Sequence, residues 1–388
     1  MINAPVNSLI ELRQQLQHLV VDNNKKVFVG FDGFVDKIKK AVKENCGCEN
    51  IYYTTLLEFA DRIKEASGKS GQVEIITQKT KLGGNAPILC NGLGKLGIHS
   101  YCLGSLGYPK LHPLFYDLNK NCEPISVLDP GESDAIEFED GKIILSELTV
   151  FDDYNWKHIV RTIGLPRIQK TIEHCGFLAF VDWVNLPHSS DIWEGMLQDV
   201  IKPSGRRDFL FLFDLCDPSK KSPQEIDEIL DVIGCFSSYG KVTLGLNENE
   251  TLRIWSALNG CDVKEKLPSI KEAGDYLHKM MNIDCLLVHP VDRTIAFHQR
   301  EIFDIAGRFI TKPKVLTGGG DNLNAGYCLG LLAGFSLPHC ILLGMAASGA
   351  YIENGVSPDK NALIRYIDTW IAHLSKETPN TSDKTQFH

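Results

Sequence analysis

The sequence predicts an α/β protein whose mainly parallel sheet is covered by helices on both faces, with a small β flap. In the second half of the chain, short apolar strands alternate with helices, which is typical of such a sheet. In the first half, residues 126–150 hold two alternating polar and apolar runs around Glu139-Asp140-Gly141-Lys142, which indicates a β-hairpin. A single hairpin inside an α/β pattern is typical of a flap over a binding site.

Apolar spacing and glycine positions define the elements before this hairpin. Leucines recur at helical spacing between residues 5 and 22, and a short apolar run follows them. The expected elements are a helix over 5–22, a buried strand over Val27–Phe31 that ends in a Gly/Asp loop, a helix over 54–67, a Gly-Gly turn and helix over 82–97, and a strand over 98–107.

The second half is expected to supply most of the sheet and its covering helices. Strands are predicted over 177–185, 208–217, 241–250 and 285–292. Helices are predicted over 224–236, 267–281, 321–334, 338–350 and 362–375. No repeat or low-complexity linker divides the chain, so one domain with a small flap is expected.

Composition excludes several classes of protein. The chain has 388 residues, 43% of them apolar, and its 40 basic against 49 acidic residues give a net charge of -9. That charge argues against a generic nucleic-acid or anionic membrane surface. No apolar run approaches the roughly 18–20 residues of a spanning helix, and the N-terminal segment is unlike a secretory signal. We therefore expect a cytoplasmic protein with no nucleic-acid or membrane partner.

The twelve cysteines are scattered singly through apolar segments. Such cysteines are typical of small core residues in a reducing compartment. Cys46 and Cys48 form the one close pair, and the sequence offers no second ligand pair beside them, so a zinc site is not predicted.

Three glycine motifs in the sequence resemble phosphate-binding patterns. Gly92–Gly97 matches GxGxxG, but the residues before it already have a helical pattern, whereas a dinucleotide site needs a preceding strand. Gly68-Lys69-Ser70 follows a helix and lacks the first glycine of a P-loop. Neither segment is predicted to bind a nucleotide.

The third motif, Thr317-Gly318-Gly319-Gly320-Asp321, precedes an apolar segment that is expected to be helical. Glycine amides at a helix N-terminus can converge on an anion. Asp321 falls in the first turn, where its carboxylate could accept a proton from a hydroxyl that attacks a bound phosphoryl group. The structural alternative is a tight turn with Asp321 as an ordinary residue at a helix start.

This segment resembles the last motif, DTxGAGDxFxxG, of the ribokinase/PfkB family of carbohydrate and nucleoside kinases. Gly318, Gly320, Asp321 and Gly326 match it, and Asn324 is also typical. In that family the aspartate is the catalytic base, and the glycine amides form an anion hole for the transferred phosphoryl group.

Three further motifs follow the order of this family between about residues 25 and 356. The positions that match them are Gly83, Gly84, Leu96 and Gly97 for the glycine-turn helix, Asn247 to Glu250 for NxxE, and Asp36, with Asp32 as a competitor, for the substrate-binding aspartate. Each motif alone is weak, but their shared order is specific.

The resemblance implies a three-layer α/β/α ribokinase-like sandwich over residues 1–388. Its β lid is expected from about 36–50 and 123–150, and a polar tail over 376–388. The family's chemistry implies ATP, Mg²⁺ and a sugar or nucleoside substrate, and leaves a monovalent cation and a homodimer open. The implied site residues are Asp321, Gly318, Gly319 and Gly320 for catalysis; Asp36, Asp32, Gly83, Gly84 and Asn85 for the substrate; and Asn247, Glu250, Thr317 and Asn324 for nucleotide and Mg²⁺.

Several positions depart from the family pattern. Val315 and Leu316 replace the Asp-Thr pair, Ile88 replaces an asparagine of the first helix, and residues 288–294 lack a second glycine motif. A nucleoside kinase and an inactive sugar or nucleotide binder therefore remain alternatives. Further candidates at predicted strand ends are Asp182, Trp183, Asn185, Asp214 and Asp217, and Phe31, Phe34 or Trp183 could clamp a purine.

Overall fold

The computed structural model describes residues 2–3, 6–22, 25–47, 49–261, 267–315 and 317–377. Cys48, Leu316 and the expected tail beyond residue 377 lie outside these ranges. The strands are β1 (Ile2–Asn3), β2 (Lys26–Phe31), β3 (Phe34–Cys46), β4 (Glu49–Tyr52), β5 (Ile75–Gly83), β6 (Ser100–Gly104), β7 (Cys122–Ser126), β8 (Gly131–Phe138), β9 (Gly141–Glu147), β10 (Cys175–Val181), β11 (Phe209–Asp214), β12 (Gly240–Leu246), β13 (Cys285–Val288), β14 (Arg293–His298) and β15 (Glu301–Ala306). The helices are α1 (Val6–His18), α2 (Leu56–Glu65), α3 (Asn85–Lys95), α4 (Trp156–Ile163), α5 (Leu165–Glu173), α6 (Ser189–Gly195), α7 (Pro223–Phe236), α8 (Glu248–Asn259), α9 (Ile270–Met280), α10 (Gly319–Leu332), α11 (Leu337–Asn354) and α12 (Lys360–Glu377).

The central sheet has ten strands in the order β1-β15-β14-β13-β12-β11-β10-β2-β6-β7. All neighbouring pairs are parallel except β13 with β14 and β14 with β15. The mainly parallel sheet that the sequence predicts is therefore confirmed. The antiparallel hairpin of β14 and β15 was not predicted. These two strands follow β13 with no helix between them, which departs from the alternation of strands and helices on which the prediction depended.

Two apolar clusters cover the two faces of this sheet. Along β2, Val27 and Val29 face a cluster that includes α1, α3, α10, α11 and α12. Phe28, between them, faces the cluster that includes α4 to α9. Because successive side chains of a strand point to opposite faces, burial on both faces makes the strands apolar throughout.

A second, smaller sheet contains β4, β3, β8 and β9 in that order, and β5 pairs with β3 on the other side. The expected hairpin is present as β8 and β9. Two boundaries of the expected lid were wrong. Residues 123–126 belong to β7 of the central sheet, where they pair with β6, and β5 is a lid strand that the polar segment before Gly83 did not reveal.

Candidate active site

The candidate site lies where five parallel strands of the central sheet end. Ligands of open α/β sheets gather at the carboxyl ends of the strands, beside helix N-termini. The side chains that follow or end these strands are Asp32, Asp182, Asp214, Asn247 and His289. The N-termini of α3 and α10 complete the site.

The N-terminus of α10 is shaped by its glycines. Gly318 is the N-cap with φ +88° and offers no side chain to cap the helix. A Cβ on Gly318 would lie 3.0 Å from the Tyr351 hydroxyl, which donates a hydrogen bond of 2.9 Å to the Thr317 carbonyl. The amides of the first turn therefore keep the free donors and the positive dipole end that suit an anion.

Asp321 lies in this first turn and is buried, with 6% exposure. Its Oδ1 has no hydrogen-bond partner among the described residues. Burial raises the pKa of Asp321 well above its usual range, nearby carboxylates add to the rise, and the Asn85 side chain opposes it. A buried carboxylate oxygen without a partner is costly unless a ligand or a transferred proton meets it.

The N-terminus of α3 is held by Asp32. Its two carboxylate oxygens accept hydrogen bonds from the amides of Asn85 at 2.6 Å and Ala86 at 2.7 Å. Gly84 has φ +94°, and a Cβ there would lie 2.6 Å from Asp32 Oδ2, so only glycine lets the two segments approach this closely. Asp32 was expected to contact substrate; instead it is fully buried and does not line the cleft.

Asp36 does line the cleft, which has a volume of about 200 Å³ between the small sheet and the central sheet. A Cβ on Gly83 would lie 2.3 Å from the Asp36 carboxylate, so this glycine makes room for it. Burial raises the pKa of Asp36, while Lys81 and Lys142 oppose the rise. Lys81 is directly across from Asp36 in the ladder of β3 and β5.

The face of the small sheet that covers the cleft carries both polar and apolar side chains. Its side chains alternate along β3, β8 and β9, as they must in strands. The members that line the cleft are Phe34, Asp36, Ile38, Lys81, Ser133, Ala135, Glu137, Lys142, Ile144 and Ser146. The charged and hydroxyl members after Asp36 were not predicted, although the alternation of polar and apolar residues over 133–146 was the signal that could have identified them.

Asn247 and Glu250 form a capping box at the start of α8. Glu250 accepts from the Asn247 amide at 2.8 Å and from Asn247 Nδ2 at 2.6 Å. The same local device starts α7 and α9, with Glu225 and Glu272. Only in α8 is the glutamate buried, and burial together with Asp214 raises the pKa of Glu250 to about 8.

Asp214, at the end of β11, connects this capping box with α10. Its Oδ2 accepts a hydrogen bond of 2.8 Å from Asn324 Nδ2. Asn324 is fully buried and its Oδ1 has no hydrogen-bond partner among the described residues. Carboxylate and amide oxygens are the donors that Mg²⁺ prefers, so Asp214, Glu250 and Asn324 could hold a divalent cation or the water around it.

The remaining candidates lie in three places, namely the cleft, the core and the surface. Asp182, Asn185, Thr317 and Ile88 line the cleft, and Asn185 donates a hydrogen bond of 2.7 Å to Asp182. Trp183 and Phe31 are buried in the core, whereas Phe34 lines the cleft and packs edge to face against Phe151. Asp217 caps a short surface helix.

A second cavity, of about 160 Å³, lies between residues 290–310 and α11. Ser348 and Ile352 line it, and both lie within 3.4 Å of the position that a Cβ on Gly319 would occupy. Thr317 and Asp321, on either side of the glycines, line the first cleft. The glycine turn therefore stands between two cavities, as a site that transfers an anionic group between two ligands requires.

Comparison with known proteins agrees with this arrangement. A family model described as prokaryotic ketohexokinase matches residues 4–370. The chain belongs to the prokaryotic ketohexokinase family. A ketohexokinase from Haloferax volcanii is 22% identical over 358 residues, which cover 91% of this chain and 93% of that protein.

Solved structures show the same fold. A carbohydrate kinase from Agrobacterium tumefaciens is 16% identical with a TM-score of 0.60, covering 89% of this chain and 97% of that one. An Arabidopsis thaliana ribokinase complexed with ribose and ATP is 17% identical with a TM-score of 0.59, covering 88% and 98%. An adenosine kinase from Sinorhizobium meliloti is 16% identical with a TM-score of 0.62, covering 90% and 99%.

Membership of the ketohexokinase family makes this protein a carbohydrate kinase, which transfers a phosphoryl group to an alcohol. The ribokinase-like resemblance inferred from the sequence is thereby confirmed. Sugar kinases of this family use ATP with a divalent metal. Within the described ranges, every helix is too short or too polar to cross a membrane.

Proposed function

We propose that this family member transfers the γ-phosphoryl group of ATP to a hydroxyl of a ketohexose bound between the small sheet and the central sheet. The observation that carries the proposal is Asp321, whose unpaired, buried Oδ1 lies beside the uncapped N-terminus of α10 and lines the cleft. The ketohexokinase named in the comparison supports the choice of sugar.

In the proposed reaction a sugar hydroxyl oxygen attacks the γ-phosphorus, the bond to the β–γ bridging oxygen breaks, and ADP leaves. The hydroxyl proton passes to Asp321, and the amides of Gly318, Gly319 and Gly320 receive the charge of the transferred group. A phosphoryl transfer of this kind depends mainly on positioning and charge stabilisation. The high pKa of Asp321 makes its ionised form a stronger proton acceptor, and the positive end of α10 favours that ionised form.

A divalent metal would be held by Asp214, Glu250 and Asn324, either directly or through water, with Asn247 orienting Glu250. It would neutralise the charge on the phosphate oxygens of ATP. The unpaired Oδ1 of Asn324 supports this placement.

We place the nucleotide base in the second cavity. Leu323, Met345 and Ile352 supply an apolar lining, and Arg293 and Arg308 lie at the cavity as well. The segment without the usual glycine motif, residues 288–294, contributes Pro290 to Thr294 to this lining. In this protein Pro290 and the side chains that follow it would therefore contact the base, whereas the glycines of the usual family motif would present only backbone atoms to it.

A sugar fits the first cleft better than a nucleoside. The lid face presents Asp36, Lys81, Glu137 and Lys142 together with two serines, which suit a ligand with many hydroxyls. Two of the three aromatic residues considered as a purine clamp, Phe31 and Trp183, lie fully buried in the core. The adenosine kinase among the structural neighbours keeps the nucleoside alternative in the test below.

The proposal is tested by ADP formation from ATP and Mg²⁺ against a panel of ketoses, aldoses, polyols and nucleosides. Asp321→Asn is measured beside the control Asp231→Asn, which changes an exposed aspartate of α7. A ketose-dependent signal that Asp321→Asn loses and Asp231→Asn keeps is the expected result. ADP formation with nucleosides alone would show that the acceptor is a nucleoside and not a sugar. Tight ATP binding without turnover on any acceptor would show that the protein is an inactive binder.

Two further expectations belong with this function. Eleven described cysteines are free thiols, and most of them are buried, which supports a reducing, cytoplasmic location.

The edge strand β9 exposes Ile143, Ile144 and Leu145. An apolar edge strand is a template for pairing with another chain, so we propose that a second copy of the protein covers it.

A further inference from the structure

Three cysteines meet away from the cleft, beneath α3. Cys90 comes from α3, Cys102 from β6 and Cys122 from β7, and their sulfur atoms all lie within 4.8 Å of one another. Cys90 and Cys102 are fully buried, and Cys122 is 8% exposed. Nothing in the proposed kinase reaction uses these thiols.

The backbone positions these sulfurs before any ligand arrives. The strands β6 and β7 are parallel neighbours, and Ser100 pairs with Cys122 in their register. Cys102 lies two residues after Ser100 and so points to the same face of the sheet. That face is covered by α3, which carries Cys90 into the same cluster of buried apolar side chains.

The thiols also influence one another electrostatically. Hydrogen bonds from Cys102 and Cys90 lower the pKa of Cys122 to about 4. Burial raises the pKa of Cys90, and the contact with Cys122 raises that of Cys102. All three sulfur atoms lie close enough to one another to reach a single ion.

Ser100 adds an observation that is independent of the thiols. Its side chain is 3% exposed, and its hydroxyl oxygen has no hydrogen-bond partner among the described residues. An unpartnered buried hydroxyl here is a polar group available to a ligand of the cluster.

An entry path reaches the cluster from the surface. A surface cavity at the start of β6 and β7 is lined by both Ser100 and Cys122. This cavity brings solvent to Cys122, at the edge of the cluster.

We propose that Cys90, Cys102 and Cys122 bind one soft, thiophilic cation of the Cu(I) class. Three sulfur donors without a carboxylate or imidazole suit Cu(I), whereas Zn²⁺ in structural sites takes four ligands and Mg²⁺ takes oxygens. Binding would release the thiol protons to solvent as the metal–sulfur bonds form. The bound ion would fasten α3, whose N-terminus carries Asn85 into the cleft, to two strands of the central sheet.

The test is an anaerobic titration of the reduced, full-length protein with Cu(I) in competition with a chelator. The exposed thiols of Cys46 and Cys235 would compete, and Cys48 is only two residues from Cys46 in the sequence, so the experiment uses a background in which all three are serine. We expect one Cu(I) per chain with a thiolate-to-copper charge-transfer band. Cys122→Ser should weaken binding by at least about 100-fold, since even outer-shell changes cost 10–100-fold in metal affinity.

The matched control is Cys175→Ser. Cys175 is also buried, but it starts β10, and its thiol donates to the Thr171 carbonyl outside the cluster. Cu(I) should raise the melting temperature of the background protein and of Cys175→Ser, but not that of Cys122→Ser or Cys102→Ala.

The copper-free melting temperatures report whether each variant folds. If Cys102→Ala fails to fold, Cys122→Ser at the cavity edge still decides the question. Absence of a charge-transfer band at one equivalent would overturn the proposal, and so would equal Cu(I) affinity in Cys122→Ser and the background protein. Kinase activity is not the readout, so the proposal stands or fails separately from the proposed function.

Discussion

Asp32 and Asp321 are both buried aspartates with pKa values well above the usual range, yet their hydrogen bonds give them different roles. Asp32 has both oxygens engaged by amides of α3, whereas Asp321 keeps one oxygen without a partner. The first carboxylate holds the start of α3, and the second has the unpaired oxygen that the proposed reaction needs. Burial and pKa alone would not have separated them.

Asp32→Asn should lower the free energy of unfolding by about 1–3 kcal/mol, because the amide NH₂ faces a backbone N–H that the carboxylate satisfied. The shift of α3 should also lower kcat more than it changes KM for ATP, since Asn85 faces Asp321. Urea unfolding and steady-state kinetics measure both effects. Asp359→Asn, at an exposed cap of α12, is the control, and equal stability of the two variants would contradict the role of Asp32.

Asp321→Asn should reduce kcat by about 10²–10⁴-fold, the usual contribution of a general base. The fold and the binding of ATP should persist, because the substitution changes neither volume nor the glycine turn. Turnover is followed by ADP formation and nucleotide binding by calorimetry. Near-wild-type turnover in Asp321→Asn would contradict the proposed role of Asp321 as the proton acceptor.

At the scale of elements, α7, α8 and α9 begin with the same capping box but in different environments. The glutamates of α7 and α9 are exposed, and their pKa values are lowered by the serine hydroxyl and amide of the cap. Glu250 of α8 is buried beside Asp214, and its pKa is raised to about 8. One local motif therefore serves as a plain cap twice and as part of the site once.

This contrast predicts opposite dependences of stability on pH. The pKa of Glu250 is higher in the folded state than in the unfolded state. Its contribution to the free energy of unfolding is therefore fully present below about pH 4.5 and is lost as pH rises toward 8. Glu250→Gln should therefore flatten the fall in metal-free melting temperature over that window. Glu225→Gln should instead remove stability at neutral pH, because the pKa of Glu225 is lowered. Parallel melting curves for the two variants would contradict the assignment.

The small sheet leads to a prediction about water. Replacing residues 136–143 by Asn-Gly would join Ala135 and Ile144, which already face each other in the hairpin, and would remove Glu137 and Lys142 from the cleft. We expect more sugar-independent ATP hydrolysis and a higher KM for the sugar, because the lid excludes water. Asp140→Asn keeps the hairpin length and is the control. Unchanged hydrolysis and KM in a folded variant would refute a lid role.

At the scale of the whole molecule, the site exists because the sheet brings distant parts of the chain together. Asp36, Asn85, Asp182 and Asp321 come from four separate segments and line one cleft. The small sheet covers that cleft while its edge strand β9 remains exposed. The proposed enclosure of substrate and the proposed contact between copies therefore involve the same small sheet.

If a dimer forms through the edge strand β9, charged side chains introduced on that strand should dissociate it. A double variant, Ile143→Lys and Leu145→Lys, should shift the protein from dimer to monomer, because it places like charges on the strand edge. Val20→Lys changes another exposed apolar residue and is the control. Sedimentation velocity measures the mass. A monomeric wild-type protein, or an unchanged dimer in the double variant, would refute pairing through β9.

Sequence patterns predicted the central sheet well because the strands that are buried on both faces are apolar over their whole length. The glycine turn of Gly318 to Gly320 was also predictable from the sequence, because the residues that form this type of helix start are consecutive in the chain. The lid was predicted only in part. Its strand β5 has an exposed, polar pattern in the structure, and no local signal distinguishes such a strand from a loop.

The sequence by itself determined the alternation of strands and helices, the glycine turns before α3 and α10, and the position of Asp321 in the first turn of α10, because each depends on residues close together in the chain. Only the tertiary structure decided that Asp36 lines the cleft while Asp32 caps α3 from 53 residues away. It also decided that Glu250, among three similar caps, is buried, and that three scattered cysteines meet. The physical reason is that a side chain's burial and partners are set by packing between distant segments, which local periodicity does not encode.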